Sequence, residues 1–368
     1  VSRFELSIGI NYIKDWTTAN AVRELFQNAL DEESVNPENE MFFNYDHGTL
    51  TIGNKTSVLD RSSLLLGSTS KQDDGSTIGK FGEGYKLATL ALCRLGKKIT
   101  FYNYGAKELW VPKLVNSRRY KSTILCFDVT THIWKSVPDN NLTIVVEGIT
   151  DEEYQQIVDT CLHLQDVGNV IETSKGRILL DPKFKSKIFV KGLHVCTFAS
   201  YDYGYDMNPK FLKLDRDRKL VSDFELNYLA SQMWASVPLE YQDLLVDNIT
   251  KNSKDTNNII YFSSDLPTGT HAKIYKEFVR TYSDKSYPVS TQSELDSVKS
   301  KYPNLTPVIV NDVYRRLVRY SKDFINVLNN AETVVPPKEK LLSWFESIEN
   351  KLSSEEVSSF LEIYELLD

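Results

Sequence analysis

Three polar side chains on one helical stretch could do chemistry together. In "ANAVRELFQNALDEES", Glu24, Asn28 and Asp31 are spaced so that, at about 100° per residue, they fall within about 60° of one another. A carboxylate and a carboxamide one turn apart suit two tasks. The amide oxygen of Asn28 can ligate a hard cation such as magnesium, which takes oxygen ligands and keeps several waters. The Glu24 carboxylate can polarise a water held near that cation. The opposite side carries Val22, Leu25, Phe26, Ala29 and Leu30 at i, i+3, i+4, i+7 and i+8, the stripe of a helix packed on a core.

A second group lies in "GSTSKQDDGSTIGKFGEGYKLATLALCRLG", Gly67 to Gly96. Four glycines, Gly75, Gly79, Gly82 and Gly84, precede an apolar helical run. Glycines ahead of a helix let backbone N–H groups approach an anion. The spacing excludes a P-loop, because Gly75 and Gly79 enclose three residues and Lys80 is followed by Phe81. It also excludes the dinucleotide fingerprint, since Gly79-x-x-Gly82-x-Gly84 reverses that order and follows polar chain instead of a strand. Ser68 to Thr77 holds no large apolar residue, the composition of a glycine-hinged lid over a phosphate site.

Together, "RELFQNALDE", "GSTSK" and "IGKFGEGYKLA" resemble, in order and spacing, the motifs of the GHKL ATPases. That superfamily includes DNA gyrase B, the ninety-kilodalton heat-shock chaperones, histidine kinases and the MutL mismatch-repair proteins. The likeness is nearest to the chaperone branch and covers residues 1–170. It implies a Bergerat α/β sandwich with a mostly antiparallel sheet, ATP and Mg2+ as cofactors, and slow hydrolysis. It also implies lid closure and a nucleotide-dependent homodimer acting as a conformational switch. Within the resemblance Glu24 matches the general base and Asn28 the magnesium ligand, with Asp31 beside them at the nucleotide. Ser68, Thr69 and Lys71 belong to the G-x-S-x-K entry to the lid. Gly79, Lys80, Phe81, Gly82, Glu83, Gly84, Tyr85 and Lys86 match the glycine box that meets the phosphates. Thr143 in "NLTIVVEG" matches a threonine near the base. Arg218, then Arg216, in "LKLDRDRKL" are the candidates for the basic residue that reaches the terminal phosphate from the following domain.

One box departs from the pattern. The family's D-x-G-x-G is represented by "GNKTSVL", with Asn54 at the Asp and Thr56 and Val58 at the glycines. An Asn oxygen can accept from an adenine amine, while its NH2 can donate to a keto oxygen, so ATP and GTP both stay open. An aspartate restored at position 54 is expected to favour ATP. The same departure keeps a non-hydrolysing nucleotide-sensing scaffold as the rival to an ATPase. A histidine kinase is disfavoured, because none of His47, His132, His163, His194 and His271 precedes the Glu24 helix.

The elements that must position these groups follow from periodicity. Helical patterns lie at 17–33, 57–66 and 84–95. Strand patterns lie at "KITFYNY", "KELWVPKLV", "STILCFDVT" and "LTIVVEGI", and Thr150 opens a helix with an acidic first turn. The expected class is α+β, helices on one face of a mostly antiparallel sheet. The expected divisions are 1–172 for the nucleotide domain, 173–255 for a transducer- or middle-like α/β region, 256–330 for a small α/β subdomain and 331–368 for a helical tail. In the third, "NIIYF" and "TPVIV" read as parallel strands and Thr291 with Glu294 as a capping box. Pro337 reads as a first-turn residue of the tail.

Composition bounds the rest. With 368 residues, 41% hydrophobic and 25% charged, the chain has material for several domains and a sizeable core. A net charge of −7 argues against coating nucleic acid by bulk charge, and the local patch of Arg118, Arg119 and Lys121 reads as a solvated hairpin tip. No apolar run reaches bilayer-spanning length and no secretory leader pattern opens the chain, so a cytoplasmic setting is expected. Cys93, Cys126, Cys161 and Cys196 form no C-x-x-C pair, which leaves zinc and redox chemistry without a signal.

Overall fold

The alternating segments read from the sequence join into one large sheet. The computed structural model describes residues 1–65, 84–136, 141–212, 223–333, 335 and 337–367. Two units divide the chain, Val1–Met233 and Trp234–Asp368. The first begins with β1 (Ser2–Gly9), α1 (Thr18–Val35), β2 (Met41–Asp46), β3 (Thr49–Asn54) and α2 (Gly84–Arg94). It continues with β4 (Lys98–Asn103), β5 (Glu108–Ser117), β6 (Ser122–Thr131), β7 (Leu142–Glu147) and α3 (Asp151–Asp159). The strand order is β1-β6-β5-β4-β7-β3-β2, and every neighbouring pair is antiparallel. The class is α+β.

Side-chain alternation decides which face of the sheet the helices cover. On β7, Leu142, Ile144 and Val146 are buried while Thr143, Val145 and Glu147 are partly exposed. Val22, Leu25 and Phe26 of α1 and Leu90 of α2 share one core with Ile52, Phe101, Ile144 and Val146. Thr17 starts α1 with a reciprocal cap, accepting from the Asn20 N–H at 3.3 Å while the Asn20 side-chain oxygen accepts from the Thr17 N–H at 3.0 Å. Thr150 and Glu153 cap α3 in the same way. Arg94, in the last turn of α2, donates to the carbonyls of Ile10, Tyr12, Ile13 and Trp16 and pins the loop ahead of α1.

The helix expected at 57–66 is absent from its described part; only a 3-10 turn, Arg61–Leu64, forms there. Leu59 is held by a residue distant in sequence. Its N–H donates to Asn103 Oδ1 at 3.2 Å and its carbonyl accepts from Asn103 Nδ2 at 2.8 Å. Asp60 then accepts from the Ser62 N–H at 2.7 Å, a local turn that competes with a continuous helix.

A second sheet follows in the same unit: β8 (Val170–Thr173), β9 (Gly176–Leu179), β10 (Lys187–Val190), β11 (Leu193–Thr197) and β12 (Gly204–Met207). Its order is β11-β10-β12-β9-β8, with β10 and β12 parallel and the other pairs antiparallel. The tight turn between β10 and β11 has positive φ at Lys191 (49°) and Gly192 (76°). A Cβ on Gly192 would stand 2.6 Å from His163 Nε2, so both backbone angle and space call for glycine. Leu193 joins the core of the first sheet. α4 (Asp223–Ala235) carries the chain on.

The second unit contains α5 (Gln242–Thr250), α6 (Thr270–Thr281), β13 (Ser286–Val289), α7 (Gln292–Lys301), β14 (Thr306–Ile309), α8 (Asp312–Arg319) and α9 (Lys322–Asn329). It ends in α10 (Pro337–Ile348) and α11 (Ser354–Glu365). β13 and β14 pair in parallel. "NIIYF" is not one of the strands; it is a 3-10 turn in which Ile259 and Phe262 are buried at one-turn spacing. The partner is "SYPV", masked in the sequence by Pro288, which offers no ladder donor. Thr291 caps α7 through the Glu294 N–H, but the Glu294 carboxylate takes the Ser290 N–H at 2.8 Å, so the box is half formed. Among the described residues no helix is long and apolar enough to cross a membrane.

Candidate functional site

Between α1 and strands β3, β4 and β7 lies a cavity of about 700 Å³, a size that holds small molecules. Leu25, Ala29, Ile52, Phe101, Leu142 and Ile144 give it apolar walls. Asn28, Asn54, Ser62, Ser63 and Tyr85 line it with polar groups. α1 contributes Leu25, Asn28, Ala29 and Glu32 at i, i+3, i+4 and i+7, one helical face. β3 reaches the cavity beside Gly53, where an added Cβ would lie 1.9 Å from the Leu142 carbonyl oxygen. Only glycine lets β3 run that close to β7.

Two carboxamides on this wall are turned the same way. Asn28 Nδ2 donates to the Glu24 carbonyl at 2.8 Å. Asn54, 2% exposed, donates from Nδ2 to the Ala29 carbonyl at 2.9 Å and to the Asn39 carbonyl at 2.8 Å. An amide nitrogen has two hydrogens, and two carbonyl neighbours fix which end of the side chain it is. The donor capacity of Asn54 is therefore used within the protein, and its Oδ1 remains as an acceptor. Placed so, Asn54 accepts and does not donate, which removes the two-way behaviour expected from its residue type alone. Ser57, passed over in the sequence, also lines the cavity, and its hydroxyl has no hydrogen-bond partner. The Tyr85 hydroxyl lies 2.9 Å from both the Ser63 carbonyl and the Ser63 hydroxyl, and burial pushes its pKa up.

The polar arc of α1 is split by packing. Asn28 faces the cavity. Asp31, fully buried, faces the other way, 3.8 Å from Lys191 Nζ in the β10–β11 turn. That ammonium also reaches Ser34 Oγ at 3.1 Å. Asp31 is thus placed at the second sheet and not among the residues lining the cavity. Glu24, 2% exposed, lies between the two directions, with Arg23 Nη2 donating to its Oε1 at 3.2 Å. Arg23 Nη1 donates to the His194 carbonyl of β11 at 2.9 Å. Burial, with Arg23 and Lys187 nearby, pushes the His194 pKa down to about 4, so its ring is neutral near pH 7.

Other expected positions fall as follows. Thr143 is on the sheet face away from the cavity, because its neighbours Leu142 and Ile144 line it and alternation sends every second side chain the other way. Gly84 is the first residue of α2. Lys86 is buried, and its ammonium donates to the Leu65 carbonyl. Ser68, Thr69, Lys71, Gly79, Lys80, Phe81, Gly82, Glu83, Arg216 and Arg218 lie outside the described residues. Arg23 went unread in the sequence because helix neighbours at i and i+1 do not share a face. The four cysteines are free, and burial pushes the Cys93 and Cys161 thiols up to about 12, far from a reactive thiolate. Among the described residues no group of three or more His, Cys, Asp and Glu is arranged to hold a metal ion.

No family model matches the chain. An uncharacterized protein of Mycoplasma pneumoniae is 26% identical over 219 residues, 57% of this chain and 87% of that protein.

Proposed function

We propose that the cavity binds ATP with Mg2+ and that the protein is a slow ATPase of the GHKL kind, switching conformation in the cytoplasm and dimerising as its lid closes over nucleotide. One observation carries the reading. Asn28 and Asn54 each tie their amide nitrogen to backbone and leave an oxygen at the same cavity. Over an apolar slot, the Asn54 oxygen suits the exocyclic amine of adenine; the keto oxygen of guanine would meet it acceptor to acceptor. The side chains of Ile52, Phe101, Leu142 and Ile144 suit the faces of a flat ring.

The Asn28 oxygen is of the type that ligates Mg2+, which would complete its shell from phosphate oxygens and water. When bound, the ion supplies charge neutralisation to the phosphates. Glu24, one turn before Asn28 and not itself among the residues lining the cavity, keeps the general-base role the resemblance gives it. Gly79, Gly82, Gly84 and Arg218 or Arg216 keep the phosphate roles the resemblance gives them. The Arg23–Glu24 pair favours a second reading, a nucleotide-sensing scaffold without turnover, because the guanidinium already occupies a Glu24 carboxylate oxygen at 3.2 Å.

Calorimetric titration with ATP, GTP and ADP, each with and without Mg2+, tests the binding. The expected result is magnesium-dependent binding with ATP tighter than GTP, and no binding of any nucleotide would overturn the proposal. Phosphate release by the same preparation separates ATPase from scaffold.

A further inference from the structure

Arg23 occupies an unusual place. It is the residue before Glu24, and adjacent helical residues point about 100° apart. Their side chains meet because the Arg23 guanidinium is drawn in two directions at once: Nη2 to Glu24 Oε1 at 3.2 Å and Nη1 to the His194 carbonyl at 2.9 Å. Its side chain is 14% exposed and that of Glu24 is 3% exposed. The third donor, Nε, is buried and has no partner, and so is Nε2 of Gln27 one turn further along α1. A guanidinium kept only to fasten two elements would be expected to satisfy its buried donors, since each one left over weakens the structure.

The second sheet holds the same side of α1 at further points. The β10–β11 turn grips the same side of α1 through Lys191, which reaches Asp31 and Ser34. His163, bonded to the Lys191 carbonyl at 2.9 Å, stacks on Phe26 with ring centroids 5.7 Å apart. The cavity lies against α1 on another face, through Leu25, Asn28, Ala29 and Glu32.

We propose that Arg23 is a positioning residue linking the second sheet to the Glu24 carboxylate, so that the place of β11 sets the orientation of that carboxylate and nucleotide at the cavity is felt at the β10–β11 turn. The inference rests on the reading of Glu24 as the hydrolytic base. Arg23→Ala removes both the hook and the charge; Arg23→Lys keeps a cation but has no second Nη to span from His194 to Glu24.

The test is steady-state ATP hydrolysis, resolved into kcat and KM, with hydrogen exchange at Lys187–Thr197 with and without a non-hydrolysable ATP analogue. Thermal melts establish that each variant folds. In Arg23→Ala, kcat should fall by about tenfold or more with KM little changed. In Arg23→Lys the analogue-induced protection at Lys187–Thr197 should be lost, because the lysine cannot span from His194 to Glu24. A wild type that hydrolyses ATP alongside variants with unchanged kcat and exchange would overturn the link alone. A wild type that binds ATP without turnover would overturn the role of Glu24 and the link with it. If Arg23→Ala fails to fold, the exchange result in Arg23→Lys decides.

Discussion

On the cavity side of α1, Asn28 and Asn54 give their N–H groups to carbonyls of the chain and keep an oxygen unused. On the side toward the second sheet, Asp31, Ser34 and Lys191 meet partners within the protein, as do both Nη groups of Arg23, whose Nε alone is left over. The contrast separates two uses of buried polarity. Groups that satisfy one another fix how elements sit, while groups left with one open function of a defined type mark where something else is received. The cavity wall offers acceptors and the sheet side offers anchors. Substitutions on one face should change ligand and chemistry, and on the other, stability and coupling.

Glu24 lies between the faces and should give the largest effect. Glu24→Gln keeps shape and removes the base, so ATP turnover should fall by at least about a hundredfold. ATP affinity, measured by calorimetry, should stay within a few fold. Equal losses in both would make Glu24 a binding group and erase its place between the two faces.

A smaller effect is expected at Asn54, opposite in sign to the one its residue type suggests. Asn54→Asp puts a carboxylate against the Ala29 and Asn39 carbonyls, which lose the amide donor they share. The cost to stability should be about 2 kcal/mol, and ATP affinity should weaken by about tenfold. Thermal melts and the ATP titration check this. A tighter ATP complex would show that the Asn54 amide is not locked and would weaken the contrast between the faces.

The smallest effect belongs to the sheet side and to pH. The His194 pKa is pushed down to about 4 by burial, then by Arg23 and Lys187, from about 6.5 in an unfolded chain. The unfolded state therefore binds the proton first as pH falls, so stability drops between about pH 6.5 and pH 4 and is flat for this group outside that window. Between pH 6.5 and 5.5 the loss is about 1 kcal/mol. Denaturant melts of wild type and His194→Gln at the two pH values should differ by that amount. An identical pH dependence in both would mean that His194 is not the group that resists protonation.

Much of the first sheet was legible because its evidence is local. The strand runs "STILCFDVT" and "LTIVVEGI", the Thr150 cap and the apolar stripe of α1 each lie within one segment, and the structure uses them as read. The misreadings share a different cause. The 57–66 segment has helical composition, but Asn103 on another strand holds Leu59 by both its N–H and its carbonyl. Thr143 lies within one residue of the cavity wall, and a shift of one residue on a strand reverses the face.

The sequence by itself determined most elements of the first sheet and the residue types able to do chemistry, because periodicity, capping and spacing are properties of neighbours along the chain. It also placed Asn28 and Asn54 on elements that can form one wall. Only the tertiary structure decided which way those side chains point. The Asn54 amide is oriented by the Ala29 and Asn39 carbonyls, and Arg23 is turned toward Glu24 by the carbonyl of His194. Hydrogen bonds of that kind join residues that share no local pattern, and burial makes their geometry decisive, because no water is there to satisfy the group in another direction.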